Sequence, residues 1–103
     1  MRRLSHQQSE QEIEKRLVKG VQQLDCWVRK ASFVSHRGCP DRLVITPQGR
    51  LWWIEVKNPS GRLSPQQKIE IEELIRRGQR VKVLFSAEEV DNFLKELELA
   101  CLC

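Results

Sequence analysis

The chain has 103 residues, of which 40% are hydrophobic and 31% charged, and carries a formal net charge of +4. That is enough for one core and too little for two. No apolar run approaches the ~20 residues of a membrane span, and the opening Met1-Arg2-Arg3-Leu4-Ser5-His6 lacks the apolar segment of a secretory signal. A single domain over 1–103, intracellular and neither secreted nor membrane-bound, is therefore expected.

The charge is unevenly spread. Residues 1–85 hold 17 Lys/Arg against 9 Asp/Glu, a surplus of eight; residues 86–103 hold 1 against 5, a deficit of four. A basic body with an acidic tail favours polyanions through counterion release. Cys26, Cys39, Cys101 and Cys103 form no C-x-x-C pair, and His6 and His36 stand at no zinc-finger spacing. Reduced thiols, mostly buried, are expected rather than a structural zinc.

In chain order, Ile13, Leu17, Val21 and Leu24 recur at helical spacing, with Ser9 as a candidate N-cap. Asp25 breaks the pattern. Cys26 to Val34 reads as a strand with a polar Arg29-Lys30 in its middle. Gly38 and Pro40 mark a connection. Residues 41–46 and 51–57 are two apolar runs around Pro47-Gln48-Gly49, a β-hairpin. After the loop Asn58-Pro59-Ser60-Gly61, Ser64-Pro65-Gln66-Gln67 opens a helix as cap, first-turn proline and capping-box glutamine. Gly78 ends it. Residues 80–85 read as a strand, and Ser86 with Glu89 opens a last helix through Val90, Phe93, Leu94 and Leu97. The order α-β-β-β-α-β-α predicts an α/β layer structure with helices around a central sheet.

Side chains alternate along a strand, so Ile54 and Val56 share one face while Glu55 and Lys57 share the other. Pairing across the turn brings Asp41 to the same end. Two carboxylates a few ångströms apart repel, and one is held protonated more tightly. A divalent cation removes that repulsion, and Mg²⁺ suits one or two carboxylates completed by water. The backbone carbonyl of Val56 is a further candidate ligand. A solvated Glu55–Lys57 pair on an edge strand is the plainer alternative.

Pro40-Asp41 followed by Glu55-Val56-Lys57 resembles the signature of the PD-(D/E)XK nuclease superfamily. Four ordered blocks narrow the resemblance: Glu14-Lys15-Arg16-Leu17-Val18, Gly38-Cys39-Pro40-Asp41-Arg42-Leu43-Val44, Trp53-Ile54-Glu55-Val56-Lys57 and Gly61-Arg62-Leu63-Ser64-Pro65-Gln66-Gln67. Together they are similar to the virus-type replication-repair nuclease (VRR-NUC) family, over about residues 9–94, in its stand-alone phage or bacterial form. The resemblance implies a restriction-endonuclease-like core. It also implies Mg²⁺ or Mn²⁺ held by Asp41, Glu55 and the Val56 carbonyl, with Lys57 assisting the attacking water. It further implies an acid on the first helix and a glutamine, Gln67, on the second. At about 100° per residue both Glu14 and Glu10 fall inside the apolar stripe of the first helix, and Glu12 outside. Glu14 is taken as the acid, acting on the metal through water, with Glu10 in reserve. Gln67 serves equally as a capping-box residue.

Arg37, Arg42, Arg62 and Lys68 are candidate DNA-phosphate contacts, or members of a solvated charged face. His36 is not expected to be catalytic. Trp52 shares the Ile54 face and is expected in the core; Trp53 shares the Glu55 face and is the better candidate to line a site or an interface. The function implied is a metal-dependent endonuclease cutting branched DNA, four-way junctions included, as a homodimer; the leucine-rich stretch 93–103 can pack on its own domain or on a second subunit, the second being slightly preferred. A non-catalytic branched-DNA clamp, or a nuclease for flaps, linear DNA or RNA, remains open.

Overall fold

The structure, a computed structural model, describes residues 8–101. His6 and Cys103 lie outside the described residues. The elements are α1 (Glu10–Gln23), β1 (Trp27–Lys30), β2 (Arg42–Ile45), β3 (Leu51–Val56), α2 (Pro65–Arg76), β4 (Arg80–Leu84) and α3 (Ala87–Cys101). The four strands form one mixed sheet in chain order: β1–β2 and β2–β3 antiparallel, β3–β4 parallel through the α2 crossover. The α/β class and the order read from the sequence are both found.

Local chemistry explains the boundaries. Ser9 caps α1, its hydroxyl accepting from the Glu12 N–H while the Glu12 carboxylate accepts from the Ser9 N–H. Ser64 and Gln67 do the same for α2, with Pro65 in the first turn. Beyond α2, Gly78 at φ +81° turns the chain as its N–H reaches the Ile75 carbonyl and that of Gln79 the Leu74 carbonyl. Asp25 at φ +62° ends α1 in the same way, its N–H donating to Gln22 and that of Cys26 to Val21. At α3 the Ser86 hydroxyl accepts from Glu89 N–H, but the Glu89 carboxylate reaches one residue further back than the expected box, to Phe85 N–H.

The core lies on one face of the sheet. Val28, Val44, Ile54, Val56 and Leu84 meet Ile13, Leu17 and Val21 of α1 and Val90, Phe93 and Leu97 of α3. Burying each large side chain contributes about 1.5–3 kcal/mol. Gly20 lets the two helices close: a Cβ there would stand 2.3 Å from the Leu94 side chain. Trp52 packs against this core, edge-on to Phe93 at 5.0 Å between centroids, as its strand face implies. Of the described part of the leucine-rich tail, Phe93 and Leu97 are buried in this core, Leu94 packs against it and Leu99 is exposed.

One element is shorter than expected. The strand read over 26–34 leaves the sheet after Lys30, because its partner begins at Arg42 and only one further bond, Ala31 N–H to Asp41 carbonyl at 2.8 Å, is available. Phe33 then turns to stack on Trp53 at 5.9 Å, and Val34 is left exposed.

Candidate active site at the open end of the hairpin

The β2–β3 register pairs Arg42 with Ile54 and, continued by one residue, sets Asp41 opposite Glu55. Alternation sends both side chains to the face away from α1. The Asp41 N–H hydrogen-bonds the Glu55 carboxylate, and its carbonyl is taken by Ala31. Asp41 is thereby anchored by its backbone, with the carboxylate left for other work.

Glu55 is 8% exposed, a buried carboxylate on a strand. Lys57 Nζ lies 3.8 Å from its Oε2, and Gln67 Nε2 donates to the same oxygen at 3.2 Å. These partners do not neutralise it. Burial, reinforced by the Asp41 charge, pushes the Glu55 carboxyl up to about 7; Lys57 and the Asp41 N–H pull the other way, and Glu10 adds to the rise. The site is under-neutralised as it stands.

Gln67 meets both descriptions offered by the sequence. Its Oε1 accepts from Ser64 N–H at 2.8 Å, closing the helix cap, while its Nε2 reaches Glu55. The carboxamide therefore ties the start of α2 to the carboxylate. The loop carrying Asp41 is fitted to the same helix. Gly38 has φ +91°, and a Cβ on it would stand 2.8 Å from the Gln66 backbone, so only glycine permits the approach. Pro40 is buried next to it, and the Cys39 thiol donates to Glu70 of α2 at 3.4 Å. Burial and the Glu70 charge push that thiol upward, so it is a packed rather than a reactive cysteine. His36, Gly38, Cys39 and Asp41 border an open cleft of about 350 Å³.

The acid on the first helix is where the geometry departs from expectation. Glu14 does not join the cluster. Its carboxylate takes Arg42 Nε at 2.8 Å and Lys30 Nζ at 3.9 Å, and both cations belong to the sheet face that α1 covers, opposite to Glu55. The helix carboxylate that raises Glu55 is Glu10, one turn earlier. Arg42, expected to meet phosphate, has its guanidinium on Glu14 and is largely covered. Arg37, Arg62 and Lys68 are exposed.

Among the described residues, no three His, Cys, Asp or Glu side chains gather to hold an ion by themselves. Asp41, Glu55 and the Val56 carbonyl would offer two carboxylates and one backbone oxygen, donors of the kind a hard cation that keeps several waters takes. Among the described residues, no helix is long and apolar enough to cross a membrane.

Comparison with known proteins agrees with the fold. The VRR-NUC domain model matches residues 3–88. A protein described as "Putative nuclease p44", from Acyrthosiphon pisum secondary endosymbiont phage 1, is 37% identical over 79 residues, which make up 77% of this chain and 85% of that one. A solved structure described as "VRR_NUC domain" superposes with a TM-score of 0.79 at 31% identity, covering 85% of this chain and 97% of the other.

Proposed function

The chain belongs to the VRR-NUC domain family, a family of nucleases, and from that premise we propose that it is a divalent-metal-dependent endonuclease hydrolysing phosphodiester bonds in branched DNA, four-way junctions included. The observation that carries this reading is the buried Glu55 carboxylate, set beside Asp41 with too little positive charge around it. Such a pair is destabilising on its own and is relieved by a cation.

Asp41, Glu55 and the Val56 carbonyl would hold Mg²⁺ or Mn²⁺, with Glu10, in place of Glu14, reaching it through water. The ion would supply a lowered pKa for bound water and charge stabilisation at the phosphorus. Lys57, whose ammonium lies 3.8 Å from Glu55, orients the attacking water and offsets charge gathering on the phosphate oxygens. Gln67 fixes the Glu55 carboxylate by its hydrogen bond, so that the carboxylate that would hold the ion is oriented before substrate arrives. Arg62 and Lys68, after the Asn58–Gly61 loop and at the start of α2, meet flanking phosphates. Products carry 5′-phosphate and 3′-hydroxyl ends. Two copies about a two-fold axis would nick symmetric strands of a junction.

The test is direct. Purified protein is incubated with labelled four-way junctions, flaps and linear duplex in Mg²⁺, Mn²⁺ or EDTA. Cleavage of junctions with either metal and none in EDTA is expected. Cutting that survives EDTA would refute the metal mechanism, and binding without cutting in both metals would make the protein a clamp. Sedimentation at the assay concentration reads the dimer.

A further inference from the structure

The flank of α1 away from α3 carries a second charged feature that the reaction does not use. A cleft of about 470 Å³ opens between this flank and the start of β2, bordered by Glu14, Lys15, Val18, Lys19 and Arg42. Lys30, the β1 partner of Arg42, reaches Glu14 at 3.9 Å but lines the other cleft, beside Asp41. Three cations, Lys15, Lys19 and Arg42, thus border the cleft with one carboxylate. Arg16, on the same helix, points elsewhere, to Asp91 of α3 at 2.8 Å. Lys15 and Lys19 are exposed, and among the described residues neither is ion-paired.

We propose that this cleft is a clamp for the phosphate backbone of a duplex DNA arm outside the scissile position, with the exposed Lys15 and Lys19 as its cations and Glu14 as the residue that holds Arg42 at its wall. The proposal rests on the nuclease reading and gives it a second contact surface. Lys15 and Lys19 are one helical turn apart, rising about 6 Å along α1, a step comparable to that between successive phosphates of one strand. Asp41 and Arg42 are adjacent in sequence yet face opposite sides of the sheet. A branched substrate placed with its scissile bond at Asp41 therefore has an arm available to pass around the end of β2 onto the α1 flank. Glu14 is only 15% exposed and holds Arg42, itself 18% exposed, by a charge-assisted bond. That bond fixes the guanidinium at the cleft wall. Contacts of this kind hold DNA through its backbone and read no sequence.

Binding of junction DNA in EDTA, followed by anisotropy over a range of salt, tests the clamp without relying on cleavage. The K15A/K19A double variant is expected to bind about tenfold more weakly at low salt, with a log–log salt slope shallower by about 2. Lys95→Ala, removing an exposed cation on α3, is expected to leave the slope as in wild type. A K15A/K19A protein with wild-type affinity and slope, folded by circular dichroism, would overturn the proposal. Glu14→Gln is expected to alter the salt slope while the single-turnover cleavage rate at saturating DNA stays within about threefold of wild type. Loss of 100-fold or more at saturation would return Glu14 to the reaction, and an unchanged slope would remove its positioning role. Failure of the wild type to cut in any metal would refute the nuclease reading alone, since the salt slopes do not depend on it.

Discussion

Two glutamates in this small protein sit among cations with opposite outcomes. Glu14, on the α1 side of the sheet, is met by Arg42 and Lys30. Glu55, on the other side, is more deeply covered, has one ammonium at 3.8 Å and faces the Asp41 charge. The first is a closed ion-pair cluster. The second is held in a state that its own surroundings disfavour. Residue type does not separate them; countercharge does, and the deficit lies at the end proposed to be reactive.

The comparison can be broken most forcefully at the deficient end. Asp41→Asn, Glu55→Gln and Lys57→Ala should each reduce single-turnover cleavage by about 10³-fold or more while junction binding in EDTA stays near wild type. Equal losses in cleavage and binding would mean that these groups only hold DNA. Gly38→Ala should destabilise the protein by about 2–4 kcal/mol in urea denaturation, since it adds both a left-handed strain and a clash with Gln66 backbone, and should displace Asp41 enough to impair cutting.

The pH dependence sharpens the contrast. Glu55 rises from 4.5 to about 7 on folding. A raised carboxyl contributes stability fully present below the unfolded value and lost as pH climbs through the folded one. In EDTA, stability should therefore fall between about pH 4.5 and 7 by of order 2 kcal/mol, after discounting for solvent screening. Mg²⁺ should restore it, and Glu55→Gln should remove the dependence and be the more stable protein at pH 8. Arg42→Ala, which strands the largely covered Glu14, should destabilise by about 1–2 kcal/mol. Arg16→Ala breaks an exposed pair with Asp91 and should not measurably move the denaturation midpoint.

Much of this was legible because it is local. The Ser9 and Ser64 caps, the Gly78 stop and the hairpin around Pro47-Gln48-Gly49 each depend on a few neighbouring residues, and the Asp41–Glu55 pairing follows from the turn and from alternation. Ala31–Val34 misled because a strand needs a partner as well as apolar residues, and β2 begins too late to supply one. Glu10 and Glu14 were inseparable on a helical wheel, which records angle and not height. One turn along α1 decides which reaches the end of the sheet, and the arginine that captures Glu14 is 28 residues away in sequence. The double role of Gln67 was hidden because either half of its carboxamide explains the residue alone.

The parallel pairing of β3 with β4 has a consequence for how the molecule comes into being. The Lys57 amide hydrogen is held by the Leu84 carbonyl, and these partners are separated by the whole α2 crossover. Such long-range closure is slow relative to forming a hairpin or a helix. The nascent hairpin can zip early with Glu55 still hydrated and harmless. Only when the last strand pairs with β3, setting Val83 beside Glu55, is the proposed site complete.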